Sequence, residues 1–184
     1  MSNGTPALVH LARERIPHQV HRYEIPETDG PALARGARLH YGAAAAAALG
    51  IRPAQMLKTL VVSLEHPADA YGAPGEPGAR PAEAGMALLA VDREASLKLV
   101  ARAFGARRAA LVDAADVSKL TGYVIGGVSP FGTKRPLPVV IDDSVLSLPR
   151  VYLSAGQRGV SIEIASADLI RGLDARVAPI SGVE

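Results

Sequence analysis

The chain contains no cysteine and no tryptophan, and aromatic residues make up only 4% of its 184 positions. Without cysteine there is no disulfide, no thiol nucleophile, no cysteine-ligated zinc and no iron–sulfur cluster. With so few rings, the core must be built from Val, Leu, Ile and Ala, which a hydrophobic content of 48% supplies. No apolar run approaches the roughly 20 residues needed to span a bilayer. Residues 1–10 have neither the charged start nor the long apolar stretch of a signal peptide. The expectation is a cytoplasmic protein with no membrane partner. A net charge of +2 admits an RNA partner without demanding one.

Lysine is also scarce, with Lys58, Lys98, Lys119 and Lys134 set among many arginines. Compositional bias accounts for most of this. Where such a chain still places a lysine inside an apolar segment, a compact ammonium is needed rather than a guanidinium fork.

The pattern along the chain reads as one domain over 1–184. Thr5-Pro6 starts a helix as cap and first residue. Residues 18–25 alternate as a strand, with His21 and Tyr23 on one side and Val20, Arg22 and Glu24 on the other. Six alanines, Ala43 to Ala48, form a helix that Gly50 closes, and Pro53 starts a short helical turn. Strands are expected at 57–64, 86–91, 109–112, 138–142, 150–154, 160–164 and 175–180. Helices are expected at 94–104, from Asp113 to near Gly122, and after a cap at Ser166. The segments 26–39 and 66–85, rich in Gly and Pro, read as loops, the second long and exposed; against the family resemblance described below both look like surface insertions. Short turns between successive strands imply antiparallel pairs, so the fold class is α+β with a mixed sheet.

Three segments could carry chemistry. Lys58 stands at the mouth of the apolar strand Met56-Leu57-Lys58-Thr59-Leu60-Val61-Val62, where its charge is partly desolvated and available to a ligand carbonyl or phosphate. Taken alone, a lysine snorkelling from a strand end is the simpler reading. The stretch Gly126-Gly127-Val128-Ser129-Pro130-Phe131-Gly132-Thr133-Lys134 lets backbone N–H groups approach a ligand closely. It imitates a P-loop, but Thr133-Lys134 reverses the required order and Pro130 removes a donor, so nucleotide binding is excluded. A plain turn explains it equally well. Ser154-Ala155-Gly156-Gln157-Arg158-Gly159 is, by itself, most simply a hairpin turn. His18 and His21 face opposite sides of a strand and make a poor metal pair. No Gly-x-Ser-x-Gly elbow is present, and Asp142-Asp143 reads as a strand-end cap. No metal site and no cofactor are expected.

Read in order, these motifs resemble the YbaK/prolyl-tRNA synthetase-associated domain family, in particular its free-standing Cys-tRNA(Pro) deacylases. The resemblance covers about 6–180. It rests on His21-x-Tyr23-Glu24, Tyr41-Gly42, Lys58-Thr59-Leu60, Thr121-Gly122-Tyr123, Gly126-Gly127-Val128-Ser129-Pro130-Phe131-Gly132, Leu137-Pro138, Ser154-Ala155-Gly156, Arg158-Gly159 and Ile162-Glu163. It implies a mixed, strongly curved β-sheet flanked by helices. It implies Lys58 as the catalytic residue, beside Thr59, and Gly126, Gly127, Ser129 and Pro130 as the loop holding the terminal ribose and the scissile ester. Tyr23 and Tyr41 line that pocket, Ser154 and Gly156 form its polar wall, and Ser161 stands where Cys-specific members often carry Asp. Ala155 replaces the first glycine of the family's Ser-Gly-Gly.

The resemblance further implies an aminoacyl-tRNA partner, proline tRNA before others, with prolyl-tRNA synthetase as a candidate second partner. The activity it implies is editing in trans: removal of cysteine from proline tRNA, with the substrate's own thiol attacking the ester. Such editing is needed because small steric differences yield only about 1–3 kcal/mol of discrimination in a synthetase pocket. An alanyl- or seryl-tRNA deacylase using water, and a non-catalytic tRNA-binding module, are the alternatives.

Overall fold

The computed structural model describes residues 4–24, 41–67 and 83–182. The proposed insertions therefore lie largely outside the described residues. Helix α1 (Pro6–Arg13) begins as expected, with Thr5 Oγ1 accepting from the Leu8 N–H at 3.3 Å. It buries Ala7 and Leu11 completely. Strand β1 (Gln19–Arg22) follows, then α2 (Tyr41–Leu49), a 3₁₀ turn at Pro53–Gln55, β2 (Leu57–Glu65), β3 (Ala84–Ala90), α3 (Leu97–Phe104) and β4 (Arg108–Leu111). The chain continues through α4 (Ala114–Thr121), β5 (Val139–Asp142), a 3₁₀ turn at Asp143–Ser147, β6 (Arg150–Gln157), β7 (Val160–Ala165), α5 (Ser166–Gly172) and β8 (Arg176–Ala178).

The α+β class and the mixed pairing are as expected, and the strands divide into two sheets. One is antiparallel, in the order β1-β7-β6; the other runs β4-β2-β3-β5-β8, with β3-β5 and β5-β8 parallel. A parallel bridge from Met56 to Tyr152 joins them.

Helix α3 starts later than its apolar spacing predicts. Ser96 is its cap, accepting from the Leu99 N–H, while Ala95 is drawn into an antiparallel bridge with Ser181. Its other end is as read: Gly105 takes φ 68°, a left-handed conformation that costs a glycine little. Two expected caps differ. Asp113 holds the cap position of α4 without a side-chain hydrogen bond, and Ser166 is the first residue of α5, its hydroxyl donating to Leu148 O at 2.5 Å.

The small sheet has one apolar and one polar face. Val151 and Leu153 of β6 pair with Ile164 and Ile162 of β7, and with Ala155 and Val160 they lie in the main core, all at most 4% exposed. Because cross-strand partners share a face, the opposite face carries Tyr152 with Glu163, Ser154 with Ser161, and His21 beside Ser161. Part of it is covered by α2, whose Ala45 and Ala46 pack with Met56, Tyr23 and Tyr152.

Candidate active site

Strand β2 is paired on both sides along only part of its length. Strand β3 accompanies it from Leu57 to Ser63, but β4 pairs only with Val62–Glu65. The Val112 N–H donates to Val61 O, the last bond on that side. Strand alternation turns the N–H and C=O of Leu57 and Thr59 the same way as those of Val61. There β4 does not reach them, and beside Leu57 the edge is instead bridged to β6 through Met56 and Tyr152.

A cavity of about 330 Å³ lies at this half-open edge. Its size falls at the small end of the roughly 300–1,000 Å³ typical of ligand pockets. Five expected site residues line it: Tyr41, Lys58, Thr59, Gly126 and Ser154. Apolar side chains including Val112, Val117 and Val128 complete the wall.

Lys58 and Thr59 leave β2 on opposite faces. Lys58 shares its face with Leu60 and Val62, while Thr59 shares the other with Leu57 and Val61. The cavity meets both because it wraps around the open edge. The Lys58 ammonium donates to the backbone carbonyl of Arg93. Burial pushes its pKa below the ordinary lysine value, opposed by the negative charges of Glu94 and Asp92. Among the described residues this engages one of its three N–H donors. Thr59 Oγ1 is buried and has no hydrogen-bond partner among the described residues. A hydroxyl withdrawn from water without a partner costs roughly 1–3 kcal/mol, so its position calls for a ligand or a water.

Tyr41, at the start of α2, closes one side. Its ring lies against Gly126, and the Arg158 guanidinium sits 4.6 Å above the ring centroid. Arg158 Nε also donates to Ile125 O at 3.0 Å, so one side chain ties the β6–β7 turn to the glycine-rich loop.

The remaining expected residues stand behind the cavity. Tyr23 OH and Ser161 Oγ are hydrogen-bonded at 2.9 Å, and Ser161 is 1% exposed beneath Ser154, its cross-strand partner. Burial raises the Tyr23 pKa, against the lowering effect of that hydrogen bond. Ser129 is fully buried, its Oγ accepting from the Phe131 N–H at 3.4 Å, and Pro130 is buried beside it. Gly127 packs on the backbone of Gln157 and Arg158, and Gly156 lies under the Tyr123 ring. None of these four lines the cavity; they shape the loop and the turn around it. The apolar half of the lining carried no sequence signal, since nothing separates a valine facing a cavity from one in the core. Among the described residues no group of three His, Asp or Glu side chains could hold a metal ion. Nor is any helix there long and apolar enough to cross a membrane.

A sequence profile of the aminoacyl-tRNA editing domain matches residues 40–171. The chain belongs to this family. Among curated relatives, a protein of Enterococcus faecalis named provisionally as a Cys-tRNA(Pro)/Cys-tRNA(Cys) deacylase, EbsC, is 29% identical over 99 residues, 54% of this chain and 60% of its own. The multifunctional Ser/Thr-tRNA deacylase ProXp-y of Escherichia coli is 33% identical over 87 residues, 47% of this chain and 52% of its own. The chain thus spans only about half to three-fifths of the curated relatives it matches. A solved structure named provisionally as a trans-editing enzyme for prolyl-tRNA synthetase superposes with a TM-score of 0.72 at 23% identity, covering 99% of this chain and 100% of the other. That likeness establishes the fold. The matched span includes α2, β2 and the glycine-rich loop.

Proposed function

We propose that the protein hydrolyses the ester of mischarged aminoacyl-tRNA, with cysteine on proline tRNA as its main substrate. The observation that carries this reading is the convergence of Lys58, Thr59, Tyr41, Gly126 and Ser154 on one small cavity at the part of the β2 edge that β4 does not cover. An aminoacyl ester is already activated, so catalysis requires mainly positioning and polarisation of its carbonyl. The terminal ribose rests at Gly126, the carbonyl oxygen takes hydrogen bonds from the free edge of β2 and from Lys58, and Thr59 Oγ1 orients the amino acid. The cysteine thiol, giving up its proton, attacks its own carbonyl carbon. The ribose oxygen leaves with a proton, and water opens the resulting thiolactone to free cysteine. This route needs no nucleophile from the protein.

A second reading has its own support. Ser161, where an acid often stands in Cys-specific members, is engaged by Tyr23, and the Escherichia coli relative bears the name of a Ser/Thr-tRNA deacylase. Seryl or alanyl esters would then be opened by water.

A panel of proline tRNAs charged with cysteine, serine, threonine, alanine or S-methylcysteine decides between them. Fast release of cysteine alone, preceded by thiolactone, supports the first reading. Equal release of serine or alanine supports the second. No release from any member leaves a tRNA-binding module.

A further inference from the structure

Asp142 is fully buried at the end of β5, far from any role in the reaction as drawn so far, and its carboxylate is saturated. Oδ1 accepts from the Ser144 N–H at 3.2 Å and from the Ser144 hydroxyl. Oδ2 accepts from the Ile180 N–H at 3.2 Å and the Ser181 N–H at 2.8 Å. The segment it holds is in turn sewn to the turn after β3. The Ser96 N–H donates to Ile180 O at 2.9 Å, Ala95 pairs with Ser181, and Arg93 Nη1 donates to Ser181 Oγ at 3.1 Å. Arg93 is also the residue whose carbonyl receives the Lys58 ammonium.

We propose that Asp142 and Ser181 are positioning residues for Lys58, acting through a brace that fixes the Arg93 carbonyl. The brace consists of the Ile180–Ser181 segment, clamped by Asp142 on one side and bound to residues 93–96 on the other. The inference rests on the reading of Lys58 as the polarising group.

The logic is geometric. The turn of residues 91–96 is short and its outer residues Asp92, Arg93 and Glu94 are exposed. Left to itself, such a turn samples several conformations. A lysine with four rotatable bonds would follow the carbonyl it binds, and small displacements of a catalytic group are costly in rate. The brace converts an exposed turn into a fixed support by attaching it to a charge buried in the sheet. Charged groups on the turn, Asp92 and Glu94, act on Lys58 from the same element, so loosening the turn changes its electrostatic surroundings as well as its position.

Ser181→Ala and Arg93→Ala cut the side-chain link while leaving the core and the Arg93 carbonyl in place; Asp142→Asn tests the clamp itself but risks the fold. Each of the first two is made singly and together, in the wild-type protein and in Lys58→Ala. Deacylation is measured with the aminoacyl-tRNA that the wild-type protein cleaves best. Lysine ¹³Cε signals, only four in number, are titrated by NMR and assigned by Lys→Arg replacement. The expected result is a roughly tenfold fall in kcat with KM nearly unchanged, equal in the single and double variants and absent in Lys58→Ala. The Lys58 titration should move up toward the ordinary lysine value, with Lys98, Lys119 and Lys134 unmoved. Wild-type kcat with an unmoved Lys58 titration overturns the brace. So does an equal loss in the Lys58→Ala background. If Lys58→Ala itself retains full activity, the catalytic reading of Lys58 fails while the NMR titration still decides on the brace.

Discussion

The Tyr41 ring and the α-carbon of Gly126 are in such close contact that a Cβ at Gly126 would lie 2.7 Å from two ring carbons. Gly126 also has φ 85°, a conformation L side chains rarely adopt. Gly126→Ala should therefore cost about 1–3 kcal/mol in stability from backbone strain, and more from the displaced ring. Thermal denaturation measures it. Trimming Tyr41 to Leu in the same chain should recover the steric part and leave the strain. If Gly126→Ala is as stable as wild type, the contact is looser than described.

Thr59→Val keeps the shape of the side chain and removes its unpartnered hydroxyl. Folding stability should hold or rise by about 1 kcal/mol, while deacylation should fall roughly tenfold through loss of one hydrogen bond to substrate. Denaturant midpoints and single-turnover rates together test this. A marked loss of stability with unchanged rate would assign the hydroxyl to the fold.

Lys58→Ala should lower the rate by roughly 10²–10³, the effect of removing one strong electrostatic contact to a developing oxyanion. Lys58→Arg should not restore it, since the planar fork is wider and cannot replace a point charge. Near-normal turnover by folded Lys58→Ala would exclude this residue from the site.

Burial pushes the Asp142 carboxyl up, but hydrogen bonds from Ser144, Ser181 and Ile180 outweigh it and hold the pKa below the usual value. Its stabilisation is thus complete above the unfolded-state pKa of about 3.9 and is lost as pH falls through the lower folded value. Urea midpoints of wild type and Asp142→Asn should differ most at neutral pH and draw together on strong acidification. A difference that stays constant down to pH 2 would refute the assignment.

Ser161→Asp places a carboxylate next to the Tyr23 hydroxyl and behind Ser154. Cleavage should shift toward cysteinyl over seryl ester, read as the ratio of their kcat/KM values on the same tRNA. An unchanged ratio would remove Ser161 from substrate selection.

Local chemistry made much of this fold legible. Thr5-Pro6, the alanine run before Gly50, and Gly105 mark helix ends through interactions within one turn. What escaped was decided at long range. Ala95 has helical spacing yet pairs with Ser181, so α3 begins after it. The strands divide into two sheets linked at Met56 and Tyr152, an arrangement no periodicity encodes. The motifs point to Lys58 and Thr59 together, but only the strand register reveals that they occupy opposite faces. Ser129 and Pro130 read as ligand contacts from their motif, since loop glycines and hydroxyls look alike in sequence, while the structure buries both outside the cavity lining.

The early end of β4 has a consequence for inhibition. Thr59 presents its backbone N–H and C=O where β4 no longer runs, beside a cavity that takes a small side chain. An extended peptide can add itself to such an edge using main-chain hydrogen bonds, with one residue lodged in the pocket for selectivity. A short strand mimic carrying a small polar side chain would thus block the site without resembling RNA at all. It would need no negative charge, and its binding would be largely indifferent to salt where that of a polyanion is not.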